Sequence, residues 1–199
     1  MPTDLFIALL LFVFVSSVTP GPNNLMVLTS GVNFGFRRTI PHMLGIEVGF
    51  TFMICVVGLG LGEVLTYAPG LYTALKYGGG AYMLWLALKL ARAGPLGPKG
   101  AEIGRPMTFW EAAAFQWVNP KGWVMAVSAT AAYTSSLHHT QGVALVAAVF
   151  AVAGPPCVAV WAVFGSAMSA TLRDAKRARL FNTVMAVLLV ASLAPILIE

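Results

Sequence analysis

Charge is scarce in this chain. Of 199 residues, 12 are Lys or Arg and 7 are Asp or Glu, so 10% are charged, against about 25% in a soluble domain. A soluble fold of this length must wet several thousand Å² of surface, roughly, and so few ionised side chains cannot cover it. Cysteine is also scarce, with Cys55 and Cys157 alone, which excludes a disulfide framework. Disorder is excluded by a 58% share of hydrophobic residues. Phosphate loop, dinucleotide fingerprint, HExxH, GxSxG and zinc spacing are all missing, so no enzyme class, cofactor or metal is indicated. The solvent for most of this chain is lipid.

What is there is arranged in long apolar runs. A bilayer core of about 30 Å needs roughly 20 apolar residues as helix, and six stretches qualify: about 5–28, 39–66, 71–92, 109–134, 141–170 and 180–198. The formal charge of +5 does not point to nucleic acid, because ten of the twelve basic residues fall in three clusters between these runs. The clusters are Arg37 and Arg38; Lys89, Arg92, Lys99 and Arg105; and Arg173, Lys176, Arg177 and Arg179. The intervening loops, Glu63 to Gly70 and Thr134 to Gln141, have no Lys or Arg. The positive-inside rule then places the basic loops in the cytoplasm and both termini outside. Leu5 to Val18 lacks a basic n-region and a small-x-small site, so it reads as a retained first helix.

The proline- and glycine-rich segment 93–108 is a cytoplasmic linker between two three-helix repeats, 1–92 and 109–199, within one membrane domain. Three is odd, so the second repeat enters the membrane from the opposite side. The expected fold is therefore all-α, with six transmembrane helices in two inverted halves. Helix 1 is interrupted by Thr19, Pro20, Gly21, Pro22, Asn23 and Asn24, and helix 4 by Val118, Asn119, Pro120, Lys121 and Gly122. Each proline removes a donor and clashes with the preceding turn, while Gly21 admits a non-helical angle. Matching breaks in inverted halves point to a transporter's binding site, because irregular backbone at membrane depth must line a cavity.

A half-helix resuming after a break offers unpaired N–H groups to a carboxylate, and Asn23 and Asn24 can cap it or donate to a ligand. Lys121 adds an anion contact unless it snorkels to a surface, and Gln116, one turn before Pro120, is a pore amide. Glu47, within Gly45-Ile46-Glu47-Val48-Gly49, must pair, protonate or bind a cation. It is the coupling-ion candidate; accepting a substrate ammonium group and pairing with Lys121 remain open. Gly78-Gly79-Gly80 reads as a close helix contact. His138 and His139 have no spaced ligand partner. Cys55 and Cys157, 102 residues apart, leave a second reading, a membrane thiol-disulfide relay. A relay requires its thiols beside the breaks.

Two runs carry a resemblance. Ser17-Val18-Thr19-Pro20-Gly21-Pro22-Asn23-Asn24, followed by Gly31 to His42 and Gly45, resembles the amino-terminal signature of the lysine/homoserine exporter family (LysE/RhtB). Phe115-Gln116-Trp117-Val118-Asn119-Pro120-Lys121 is similar to its second motif, and Lys76, Gly80, Tyr82 and Leu86 to its third-helix pattern. The resemblance spans nearly the whole chain. It implies a multi-pass bacterial inner-membrane exporter of amino acids or close derivatives, working by proton antiport with alternating access, with a homodimer allowed. The substrate would be a small zwitterion. Glu47 departs from the pattern, in which an apolar or small residue is common.

Overall fold

A computed structural model describes residues 1–61, 69–92, 105–134 and 139–193. Residues 62–68, 93–104, 135–138 (with His138) and 194–199 lie outside the described residues, as does the side chain of Lys76. Parts of the two expected outer loops and most of the linker therefore fall there. Every regular element among the described residues is helical.

Proline placement sets the first boundaries. Helix α1 (Thr3–Val18) stops at Thr19, which is extended as the residue before a proline prefers to be. Pro22 opens α2 (Pro22–Phe34) at the first helical position, where its missing N–H costs nothing. The two helices are bent by 54°. Gly35, at φ 79°, ends α2 in a conformation that L side chains resist, and α3 (Phe36–Val56) starts directly after it. A π-helical turn, Val57–Leu61, prolongs α3. Next come α4 (Pro69–Ala91) and α5 (Phe109–Phe115). A capping box of Thr108 and Glu111 starts α5, and Arg105 grips the Glu111 carboxylate through two bonds of 2.7 Å.

The expected break in helix 4 is present. A 3-10 turn, Gln116–Val118, and extended Asn119 separate α5 from α6 (Pro120–Tyr133). Helix α7 (His139–Met168) is continuous through Pro155 and Pro156, and α8 (Ala175–Ala191) follows with Asp174 capping it. Two elements, Phe36–Leu61 and His139–Met168, are each long and apolar enough to cross a bilayer, and the bent α1–α2 pair makes a third. The break shortens the helices of the fourth expected span. Lys76 and Lys89 interrupt the apolar run of α4, while Lys176, Arg177 and Arg179 start α8.

Helix α7 is the hub, packing on α1, α2, α3 and α6; α3 also packs on α5, and α4 on α8. Backbones touch where α2 crosses α7. A Cβ on Gly31 would collide with the Ala162 carbonyl, and one on Gly165 with the Leu28 carbonyl. The largest core cluster joins α1, α3, α6 and α7 around Leu9, Val13, Phe50, Met53 and Phe150. Two smaller clusters, around Leu25 and Met83 and around Val27 and Ile46, lie along α2. Most of α1 instead exposes large apolar side chains, among them Ile7, Leu11 and Phe14.

Candidate functional site

The first break leaves carbonyls at the end of α1 without helical partners. In hydrocarbon each such group costs roughly several kcal/mol, so a few of them would equal the entire stability of a fold, about 5–15 kcal/mol. Side chains from three helices answer them. Asn24 Nδ2 donates to Ser17 O (2.8 Å) and Thr19 O (2.9 Å). Trp161 Nε1 of α7 donates to Val18 O at 3.2 Å. Lys121 Nζ, from the other break, donates to Thr19 O at 2.6 Å and reaches Pro20 O at 3.5 Å.

The two breaks are also joined by a reciprocal amide pair. Asn23 Nδ2 donates to Gln116 Oε1 (2.8 Å), and Gln116 Nε2 donates back to Asn23 Oδ1 (3.2 Å) and to Ala112 O (2.9 Å). Ten residues were expected at the site: Thr19, Pro20, Gly21, Pro22, Asn23, Asn24, Gln116, Asn119, Pro120 and Lys121. The structure brings them together at one place, although Pro120 is buried against Gly79 of α4. That contact is the close approach anticipated at Gly78-Gly79-Gly80; it involves Gly79, and Gly78 has open space.

Several roles differ from the expectation. Asn23 and Asn24 do not cap α2; its N-cap is Gly21 and no side chain bonds there. With Pro22 at the first helical position both asparagines lie inside the first turn, and Asn24 reaches back to the end of α1 instead. Gly21 is extended (φ −166°), which any residue can adopt, so backbone freedom is not what glycine supplies. It supplies room, since a Cβ there would lie 2.7 Å from Lys121 Cδ. Lys121 does not snorkel; its ammonium lies in the opposite break. Nor does it pair with Glu47, since among the described residues no Glu47 contact falls within ion-pair distance.

Between the breaks is a cavity of about 40 Å³, walled by Gly21 to Asn24, Glu47, Asn119 and Lys121 together with Ser16, Ser17, Phe50, Met125 and Phe150. Glu47 is 8% exposed and has no hydrogen-bond partner among the described residues. Its carboxylate sits over Gly154 of α7, where a Cβ would come within 2.5 Å of Oε2. Asn119 is 2% exposed, and its Oδ1 has no partner among the described residues. A buried acceptor without a donor is costly and calls for a ligand. Gly154, Trp161 and Ser16 were not singled out from the sequence. They belong to ordinary helical runs, and only long-range packing gives them a part.

Cys55 and Cys157 are free thiols. Cys55 packs against the large core cluster and Cys157 Sγ donates to Ala153 O, so neither is in the cavity wall. His139 Nε2 lies against the Gly58 carbonyl at the π-helical turn.

The cysteine/O-acetylserine efflux proteins of Escherichia coli strain K12 and of Shigella sonnei strain Ss046 are each 30% identical to this chain over 195 residues, covering 96% of both chains. No solved structure matches. The family model described as LysE type translocator matches residues 14–195, a stretch that contains both breaks and every wall residue of the cavity. This helical chain, with two broken helices beside one small cavity, thus belongs to the LysE type translocators, a family of transporters and not of enzymes.

Proposed function

We propose that this chain exports a small neutral amino acid or close derivative across the bacterial inner membrane, by alternating access coupled to proton antiport. The observation that carries the reading is the cavity itself. It sets one unpaired carboxylate, Glu47, and one unpaired amide oxygen, Asn119 Oδ1, beside the uncapped start of α2 and the Lys121 ammonium. The N–H groups of Gly21, Asn23 and Asn24 and the third proton of Lys121 suit a carboxylate. Glu47 and Asn119 Oδ1 suit an ammonium group. Among the described residues Glu47 is the one acid in the wall, which offers no second acid to a cationic side chain. The efflux relatives are named for cysteine and O-acetylserine, both neutral in the side chain.

At about 40 Å³ the cavity has room for roughly three waters, at about 10–15 Å³ each, and not for an amino acid. Substrate entry therefore requires the helices to part, as alternating access demands. Two inverted halves, 1–92 and 109–199, are supported by the packing: the α1–α2 unit lies on α7, the α5–α6 unit on α3, and α4 on α8. Exchanging the first three spans for the last three leaves that pattern unchanged. The apolar surface of α1 suits lipid, and the three basic clusters support an orientation with the termini outside. A proton on Glu47, released when the ammonium arrives, would couple the two flows.

The test is uptake into inside-out vesicles with an acidic lumen, using labelled cysteine, O-acetyl-L-serine, serine and lysine. Neutral substrates should accumulate, and a protonophore should abolish the accumulation. Accumulation of lysine in preference, or of neutral substrates regardless of the gradient, would overturn the reading.

A further inference from the structure

A second cavity, of about 260 Å³, lies between α2, α3, α4 and residues 105–107. It follows α2 from Leu25 to Phe34, and along that helix Leu25, in its wall, directly follows Asn24, in the wall of the small cavity. Its lining is largely apolar, but Ser30 and His42 interrupt it and Lys89 and Arg105 stand at the basic end. His42 is 2% exposed, and its Nδ1 has no hydrogen-bond partner among the described residues. A buried ring nitrogen is kept unpaired only at a cost, and here the ring lines a space that can hold a partner for it. The volume lies below the range of roughly 300–1,000 Å³ for drug-sized ligands and suits a smaller one.

We infer that this cavity is the entry vestibule of the export path, where a small zwitterionic amino acid is held before it reaches the breaks, its ammonium group donating to His42 Nδ1 and its carboxylate turned towards Lys89. The inference rests on the exporter reading above and adds a binding site to it. Two observations favour a zwitterion over a lipid tail. The wall carries polar groups that a hydrocarbon chain has no use for, and the mouth is cationic. The Arg105 guanidinium is held by Glu111, whereas the Lys89 ammonium lies 5.3 Å over the Trp85 ring and has no carboxylate partner among the described residues. A cationic amino acid would be repelled at this mouth before selection at the breaks.

The probe is a single cysteine, Met26→Cys, in the wall of the larger cavity, placed in the full chain with Cys55→Ala and Cys157→Ala. An impermeant charged maleimide should label it in inside-out vesicles and not in right-side-out ones, and O-acetyl-L-serine should protect it. His42→Leu should raise the protecting concentration about tenfold, whereas His42→Gln, which keeps an acceptor, should retain most of the protection. Membrane levels of both variants show that each is folded. Unprotected labelling, protection unchanged by His42→Leu, or labelling only by a membrane-soluble maleimide, as a lipid-filled space would give, overturns the vestibule. Uptake measured in the same vesicles separates the two readings. Transport with unprotected labelling removes the vestibule and leaves the exporter standing, and absence of transport for every neutral amino acid removes both.

Discussion

Glu47 and Lys121 share one small cavity without touching, and the side chains around them account for the separation. Lys121 is drawn to the carbonyls of Thr19 and Pro20, the negative end of the α1 dipole. Glu47 lies over Gly154 on α7. An ion pair formed directly between them would satisfy both groups and leave nothing for a ligand; held apart, each keeps capacity for the opposite end of a zwitterion. Glu47→Gln preserves shape and hydrogen bonding while removing the charge and its proton. Gradient-driven uptake in vesicles should fall about tenfold or more, equivalent to about 1.4 kcal/mol of coupling, while exchange of labelled for unlabelled substrate continues. Undiminished gradient-driven uptake would move the coupling site elsewhere. The residue types at the breaks were legible because proline, glycine and asparagine have local rules. Their partners were not. Lys121 and Thr19 are 102 positions apart, and no spacing rule says that a lysine in one break will serve carbonyls in the other, or that Gly21 is small in order to admit it.

At the scale of elements, both breaks share one plan: a helix ends, an extended or 3-10 segment intervenes, and a new helix starts with proline at its first position. Local chemistry made these boundaries readable; the glycine stop at Gly35 was not read from the sequence. The 54° bend between α1 and α2 and the π-helical turn after α3 were not readable, since they depend on what the helices pack against. Pro20→Ala combined with Pro22→Ala tests the first break. A continuous helix would bond its own carbonyls, release Asn24 and Lys121 from them, and carry Asn23 away from Gln116. Because an unbroken helix is cheaper in lipid, the double variant should reach the membrane at the wild-type level and lose uptake. Retained affinity and rate in a well-expressed variant would show that the breaks only shape packing.

For the whole molecule, the proposed orientation rests on the basic clusters, and two described positions test it. Arg38→Cys, at the basic end of α3, should react with an impermeant maleimide only in inside-out vesicles; Thr140→Cys, at the start of α7, should react only in right-side-out vesicles. The reverse pattern would invert the topology and with it the side on which the larger cavity opens. Lys121 also has a consequence for the membrane as an electrical insulator. An exporter that opens a path for a zwitterion risks opening one for hydronium and sodium ions, which the membrane potential drives continually inwards. On the exporter reading, an ammonium between the two breaks, held by carbonyls of the opposite one, would raise the potential on that path and turn cations back. Lys121→Met should therefore do more than weaken substrate binding. In liposomes holding a pH-sensitive dye and an imposed potential, this variant should collapse the proton gradient several times faster than wild type with no amino acid present; equal leak rates would confine Lys121 to substrate and backbone contacts. On this view the lysine that closes the first break also lets a cell keep its proton-motive force while carrying many copies of the exporter.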